Sequence, residues 1–472
     1  MKRFLTLCVT AVVALFATAQ TKEITILAVN DMHASIDRFP QFAALVDSMR
    51  GIYPDLLLFS AGDNRTGNPV NDIHPESSLP MTLLMNKVGF NLSAVGNHEF
   101  DANIGAFRNV VNRSDFRYVC ANVYAPDSLR LHIEPYKIFE VNGVRIGVLG
   151  LIQTGLNGTP DTHPTNLENL SFRPTGRVAD EYGWLRNQCD VFVVLSHDGY
   201  EESIELAENY PYADVLISGH SHTRVEGTEL YNNVLLTQSE SHLKYVTHIT
   251  LEVTDGEVTK KEARLLDVRA CTGKDETVQA MVDDFNNNES LKRVLTQAIT
   301  DFKNYQELGC MMADAIRIET GADIGLQNPG GVRIETYPQG PVTVHAVYQM
   351  DPFNNEVIRF NLTGTEVLRL IETAYYADNN AASYVSGIRY DMTLDKQGKV
   401  KSVQIEMEDG SPFNLQRTYT VVMNSYLAAI CDYEKADPGQ SVFRTAADYM
   451  IEYLEKQPAI DYQGTKRVTV KQ

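Results

Sequence analysis

Aspartate, asparagine and histidine recur along this sequence in short groups, each placed just after a run of apolar and β-branched residues. Ile24 to Val29 is followed by Asn30-Asp31-Met32-His33, and Asp55 to Phe59 by Ser60-Ala61-Gly62-Asp63. Leu92 to Val95 leads to Gly96-Asn97-His98-Glu99-Phe100-Asp101, and Val191 to Leu195 to Ser196-His197-Asp198. Val215 to Ile217 leads to Ser218-Gly219-His220-Ser221-His222. A lone Asp at a strand end is ordinarily a turn or cap residue, and a lone His is ordinarily a core or surface residue. His-x-His is different, because it brings two imidazoles on one short loop to a single region. Imidazole combined with carboxylate suits a divalent transition metal such as zinc, manganese, iron, cobalt or nickel. Open α/β sheets collect their ligands beyond the carboxyl ends of strands, so these groups are predicted to converge on one metal site.

The elements that must position them follow an α/β rhythm. The runs named above, with Val144 to Leu149, are short and almost continuously apolar, as strands buried on both faces are. Phe42 to Met49 has helical spacing. Asn142-Gly143 and Asp255-Gly256 sit between strand-like runs and are predicted to be hairpin turns. From Thr277 to Ala298 apolar residues fall mainly three and four apart, which predicts one or two helices bridging two halves. Beyond it come helical stretches at Leu308 to Ile318 and Gly364 to Ala374, and strand-like runs at Val357 to Leu362, Val400 to Glu406 and Tyr419 to Met423. A chain of 472 residues exceeds what one core organises. The expected division is a catalytic domain over residues 20–270, a linking helix over 271–305 and a second α/β domain over 306–472.

Composition narrows the function classes. Apolar residues at 43% and charged residues at 22% describe a globular protein rather than a disordered one. A formal net charge of −20 argues against polymeric nucleic acid or an anionic membrane as partner, though bound cations can reverse the sign of a site. Lys2 and Arg3, the apolar run Phe4 to Phe16 and Ala17-Thr18-Ala19 read as a secretory signal over residues 1–19. That run is shorter than the roughly 20 residues that span a bilayer, so no transmembrane segment is expected after its removal. Cys120, Cys189, Cys271, Cys310 and Cys431 show no Cys-x-x-Cys spacing, which implies no cysteine metal site and leaves pairing open. Asn64-Arg65-Thr66, a glycosylation sequon beside Asp63, would put a glycan at the site in a glycosylating host and so favours a bacterial periplasm or surface.

Taken together, the first-half groups resemble the calcineurin-like metallophosphoesterases, whose loops read Asp-x-His, Gly-Asp, Gly-Asn-His-(Glu/Asp), a single His and Gly-His-x-His. Asn-Asp-x-His with Gly-Asn-His-Glu-Phe-Asp is similar to the 5'-nucleotidase branch. The resemblance implies an N-terminal metallophosphoesterase α/β sandwich and a C-terminal α/β nucleotidase domain that binds substrate. It implies two divalent metals, one held by Asp31, His33, Asp63 and His222, the other by Asp63, Asn97, His197 and His220, with Asp63 bridging. His98 and Asp101 would be the catalytic dyad. In the second half, Asn328 and Arg333 of Asn-Pro-Gly-Gly-Val-Arg would contact phosphate or ribose, and Pro329 stands where the family has glycine. Phe353 and Tyr426 would stack on the base, and Asp432 would contact ribose hydroxyls, although Ile430 and Cys431 replace two family glycines before it. Asn304 stands where many members carry a phosphate-facing Arg.

The reaction this implies is metal-assisted hydrolysis of a nucleoside 5'-phosphate. A 2',3'-cyclic phosphodiesterase with 3'-nucleotidase action and a UDP-sugar hydrolase are alternatives on the same site. A catalytically silent surface binding protein is the alternative from another class, and loss of metal ligands would be its mark.

Overall fold

The structure, a computed structural model, describes residues 21–155 and 158–471, so the expected secretory signal lies outside the described residues. The first half is built on two six-stranded sheets. One runs in the order Glu257–Asp267, Tyr245–Thr254, Thr21–Val29, Leu57–Ser60, Leu92–Ala94 and Arg117–Val119, the last four mutually parallel. The other runs Glu229–Tyr231, Val234–Thr237, Val215–Ser218, Val191–His197, Val144–Ile152 and Tyr136–Val141, with the four central strands parallel. Side-chain alternation explains the continuous apolar reading of these strands. Ile24, Ile26 and Ala28 pack with Val144, Ile146, Val191 and Val193 between the sheets. Leu27 and Val29 instead face the helices Phe39–Ile52 and Leu79–Val88, while Leu149, Leu151 and Val194 face Thr175–Glu181 and Tyr200–Asn209. The result is a sandwich of helix, sheet, sheet and helix layers. Both expected hairpins are present, with Asn142 and Gly143 at φ 54° and 70° and Asp255 and Gly256 at 54° and 83°.

The second half carries a five-stranded mixed sheet ordered Tyr384–Ser386, Ile324–Gln327, Thr418–Asn424, Glu356–Thr363 and Gln440–Thr445. Helix Gly364–Ala377 covers one face, and Tyr305–Thr320 with Ala446–Glu455 lies on the other. A three-stranded sheet of Val400–Met407, Ile388–Leu394 and Val468–Lys471 extends it.

The connecting segment departs from expectation. Helix Glu276–Asn286 packs Val278 and Val282 into the first half's helical layer, and a short helix Glu289–Lys292 follows. Val294–Ala298, read as helical, is a strand paired antiparallel with Gly340–Thr343. Arg293 at φ −59° and ψ 122° leaves the helical region, and the β-branched Val294 and Thr296 then suit the extended chain. The cysteines Cys120, Cys189, Cys271, Cys310 and Cys431 are all free. Among the described residues no helix is long and apolar enough to cross a membrane.

Candidate functional site

Three of the five strand-end groups of the first half turn sharply at the site, and the backbone records it. Asp31, His33, Asp63, His220 and His222 all have positive φ, at 48°, 45°, 53°, 77° and 55°. Non-glycine residues in this region are strained, so the surroundings must hold them there. Asp31 N–H donates to the Gly62 carbonyl and His33 N–H to that of Asp63, each at 3.0 Å, tying the first loop to the second. The buried Glu99 carboxylate accepts from Asp63, Asn64 and Gly96 N–H groups at 3.0, 2.8 and 2.6 Å, tying the second loop to the third. At Gly62, φ is 92° and a Cβ would lie 2.7 Å from Gly96 N and 2.9 Å from His197 Nδ1, so the strands reach the site only with glycine there.

The seven expected ligands converge. His33 Nε2 is 3.0 Å from His222 Nε2, which is 3.4 Å from Asp31 Oδ1. His197 Nε2 lies 3.1 Å from Asp63 Oδ2 and 3.2 Å from Asn97 Oδ1, and His220 Nδ1 is 3.1 Å from the same Asn97 oxygen. Asp31, His33 and His222 form one group whose ligand atoms fall within 4.8 Å of one another, and Asp63, His197 and His220 form a second. The donor chemistry fits cations. His33 Nδ1 faces the Thr66 carbonyl at 2.9 Å and His197 Nδ1 the Ala61 carbonyl at 2.7 Å, so each ring's N–H belongs to that nitrogen. The Nε2 lone pairs then point inward among carboxylates, the orientation that metal-ligating histidines take. Asn97 Nδ2 donates to the Asp161 carbonyl at 2.9 Å, which fixes its oxygen toward the cluster.

Electrostatics agree. Burial, with the charges of His222 and Arg333, holds His33 well below its ordinary value, so it is a neutral donor. Burial alone would depress His197, but the Asp63 and Asp31 carboxylates lift it to about 10. Burial would raise Asp63, yet His197 and His98 carry it well below the ordinary carboxylate range. A cation entering beside Asp63 therefore competes with the His197 proton.

His98 sits beside the cluster with Nε2 3.9 Å from Asp63 Oδ2, while its Nδ1 meets Asp101 Oδ2 at 2.6 Å. Burial opposes its charge, but Asp101 and Asp63 outweigh burial and raise it. Asp101 is itself fixed by the Thr66 and Thr162 hydroxyls, each at 2.8 Å.

The second half reaches this histidine. Arg333 Nη2 lies 3.4 Å from His98 Nε2, and the Phe353 ring stacks on the His98 ring at 5.8 Å between centroids. Asn328, Arg333, Phe353 and Tyr426 line one cavity with Asn97, His98, Asp101 and His220, enclosing about 730 Å³ including its open mouth. Pro329 opens a tight turn, and Asn328 is buried with Oδ1 accepting from Asn424 Nδ2 at 2.8 Å. Asn304 caps helix Tyr305–Thr320 by accepting from Gln306 and Glu307 N–H groups.

Asp432 is not brought into the cavity. The replaced glycines explain this: Cys431 is drawn into the apolar core, which leaves the next side chain exposed. Asp378, at the end of helix Gly364–Ala377, lines the cavity instead, as do Asp161, Thr162, His163 and Asn166. Sequence reasoning missed these. The strand-end rule applied to Val144–Ile152 would have flagged the loop carrying Asp161, whereas nothing local marks Asp378. Asn64 of the sequon is buried, with its amide bonded to Ser60 and Ser93, so the folded site has no room for a glycan there.

Residues 24–224 match the family Calcineurin-like phosphoesterase, and residues 287–433 match the 5'-nucleotidase C-terminal domain. The chain therefore joins a calcineurin-like phosphoesterase domain to a 5'-nucleotidase C-terminal domain, the pair of domains of the 5'-nucleotidase family. Members work with divalent metal ions, and this one is a phosphoric monoester hydrolase. It is 25% identical to the 5'-nucleotidase of Vibrio cholerae over 96% of this chain and 94% of that one. It is 25% identical to Endonuclease YhcR of Bacillus subtilis over 85% of this chain, spanning only 37% of that longer protein. The fold matches a crystal structure of a 5'-nucleotidase precursor from Thermus thermophilus, with TM-score 0.84 and 24% identity over 95% of this chain and 99% of that one.

Proposed function

We propose that this enzyme hydrolyses nucleoside 5'-phosphates to nucleoside and phosphate, and that it acts after export to a bacterial periplasm or surface. The observation that carries the reading is the single cavity in which the metal-type cluster, His98 and Arg333 meet the aromatic rings of Phe353 and Tyr426. In this reading Asp31, His33, Asp63 and His222 hold one cation and Asp63, Asn97, His197 and His220 the other. Such a pair supplies Lewis-acid polarisation of phosphoryl oxygens and a nucleophile from water at neutral pH. Asp101 holds the His98 ring by Nδ1, which leaves Nε2 to donate to charge developing on the leaving oxygen. Arg333, delivered from the other half, adds a planar donor fork suited to phosphate. Phe353 and Tyr426 offer π-faces to the base. The Lys2-Arg3 start and the apolar run after it support export.

The test is product analysis on AMP, 3'-AMP, cyclic AMP and UDP-glucose, before and after chelation and metal return. We expect adenosine and phosphate from AMP, turnover abolished by chelation and restored by metal. Preferred cleavage of cyclic AMP or UDP-glucose would overturn the 5'-phosphate assignment, and absence of any metal-dependent turnover would favour a silent binding protein.

A further inference from the structure

The loop that follows Val144–Ile152 is tied to three residues of the site. The Asp161 carbonyl accepts from Asn97 Nδ2 at 2.9 Å. The Thr162 hydroxyl donates to Asp101 Oδ1 at 2.8 Å, and Asn166 Nδ2 donates to the Asp101 carbonyl at 2.9 Å. The third residue is His220, which the Asp161 side chain faces: Oδ2 stands 3.8 Å from His220 Nε2. The Asp161 carboxylate has no part in the chemistry described above, and a carboxylate is unsuited to contact a phosphate directly.

His220 differs from two of the other ring ligands in the nitrogen it turns to the cluster. His33 and His197 turn Nε2 inward and give the Nδ1 proton to the carbonyls of Thr66 and Ala61. His220 turns Nδ1 inward, 3.1 Å from Asn97 Oδ1. A neutral imidazole carries one proton, so a ring that offers its Nδ1 lone pair to a cation keeps that proton on Nε2. Metal-ligating histidines give this second N–H to a carboxylate, a carbonyl or water, which fixes the tautomer and the ring and raises ligand basicity. Among the described residues His220 Nε2 has no hydrogen bond, and the carboxylate facing it is that of Asp161. A gap of 3.8 Å is closed by a small rotation of the ring or spanned by one water.

The turn that presents Asp161 leaves its carboxylate little choice of direction. Gly155 N–H donates to the Thr159 carbonyl at 3.0 Å, and a Cβ at Gly155 would stand 3.0 Å from Asp161 Oδ1. One oxygen is thereby set against the turn and the other toward His220.

We propose that Asp161 is a positioning residue for His220, accepting the Nε2 proton and so holding Nδ1 on the cation shared with Asp63, Asn97 and His197. This rests on the two-cation reading above. Because the backbone of the same residue holds Asn97, Asp161 fixes two of that cation's ligands, and its neighbour Thr162 holds Asp101 of the dyad.

Cobalt titration of the metal-stripped full chain, followed by calorimetry and visible absorption, reads each metal site without turnover. The wild type is expected to show two binding steps. Asp161→Ala should weaken one of them by about 10- to 100-fold, the usual cost of losing a ligand's outer partner, and leave the other within about threefold. Asp161→Asn, whose amide oxygen still accepts, should weaken the same step less, and it carries the comparison if circular dichroism shows that Asp161→Ala does not fold. In a His220→Ala background, adding Asp161→Ala should change the remaining binding by less than about threefold, because a residue that acts through His220 then has nothing to hold. Unchanged cobalt binding with a raised KM for AMP would assign Asp161 to the substrate and overturn the proposal. Equal weakening of both steps, or a further loss in the His220→Ala background, would make the loop a general brace and overturn it as well. A wild type that binds fewer than two cobalt ions refutes the two-cation reading and the proposal with it, whereas two steps untouched by Asp161→Ala refute the proposal alone.

Discussion

Asp63 is where the two metal-type groups join: its Oδ2 is 3.1 Å from His197 Nε2, and its Oδ1 accepts the His98 N–H at 2.9 Å. An amide there keeps the shape and removes the charge that would offset two cations. We expect Asp63→Asn to lower metal content and activity together, by about 10²-fold or more in turnover, as elemental analysis beside kinetics will show. Full metal content with normal turnover would defeat the assignment. His98 gives the contrasting case, because its Nδ1 is spent on Asp101 and its Nε2 stands off Asp63 at 3.9 Å. His98→Ala is expected to lower kcat by about 10²-fold or more with both metals retained, the size of general-acid or electrostatic help. If a metal is lost instead, His98 is a ligand. The polar strand ends were legible at this scale because metals need particular side chains at particular ends. Glu99 was not, since it acts on backbone N–H groups, and Asp378 was not, since it meets the site only through tertiary packing.

At the scale of elements, the parallel strands and the hairpins were readable because each buries both faces or turns on Asn-Gly and Asp-Gly. The stretch Val294–Ala298 was not, because apolar spacing over so few residues serves a helix or a strand, and pairing with Gly340–Thr343 decides it. The helix Val344–Met350 shows what such pairing positions. Val344 and Tyr348 pack against the first half's apolar cluster, and the chain then passes through Asp351 and Pro352 to bring Phe353 onto His98. Asp351 is buried at this joint with Oδ2 unpartnered among the described residues, and burial, eased only by the Phe353 N–H, pushes its carboxyl up to about 7. The unfolded chain releases that proton near 3.8. Between these values the unfolded state binds fewer protons, so this residue erodes stability as pH rises from about 4 to 7. Asp351→Asn should therefore melt higher than the wild type at pH 8, by a few times about 2–4 °C, with the gap shrinking toward pH 4.5. Thermal melts across that range will decide it, and a gap independent of pH would show that the carboxyl does not titrate there.

The molecule as a whole works by bringing two unlike halves to one phosphate, with chemistry held in the first and most of the substrate's contacts expected from the second. Arg333 already lies 3.4 Å from His98, so the halves meet at the proposed reacting centre rather than merely near it. Phe353 belongs to that meeting, since it stacks on His98 and has the Arg333 guanidinium 5.6 Å from its ring. In the proposed reading, a base seated against Phe353 and Tyr426 would be gripped chiefly by π-faces. Stacking contributes roughly 1–3 kcal/mol per base and works on any of the four, whereas choosing one base needs a set of donors and acceptors matched to its edge. The same cavity is also lined by Asn166, Asn355 and Asn379, and the kinetics below decide whether any of these amides reads a base edge. We therefore expect AMP, GMP, CMP and UMP all to be hydrolysed, with kcat/KM ordered by ring area. Because Phe353 also touches His98, Phe353→Ala should lower kcat as well as raise KM, which an aromatic remote from the chemistry would not do. Steady-state kinetics on the four nucleotides test the scheme: a spread wider than about 10³-fold exceeds what stacking supplies and would mean that hydrogen bonds to one base's edge, not the aromatic pair, dominate recognition.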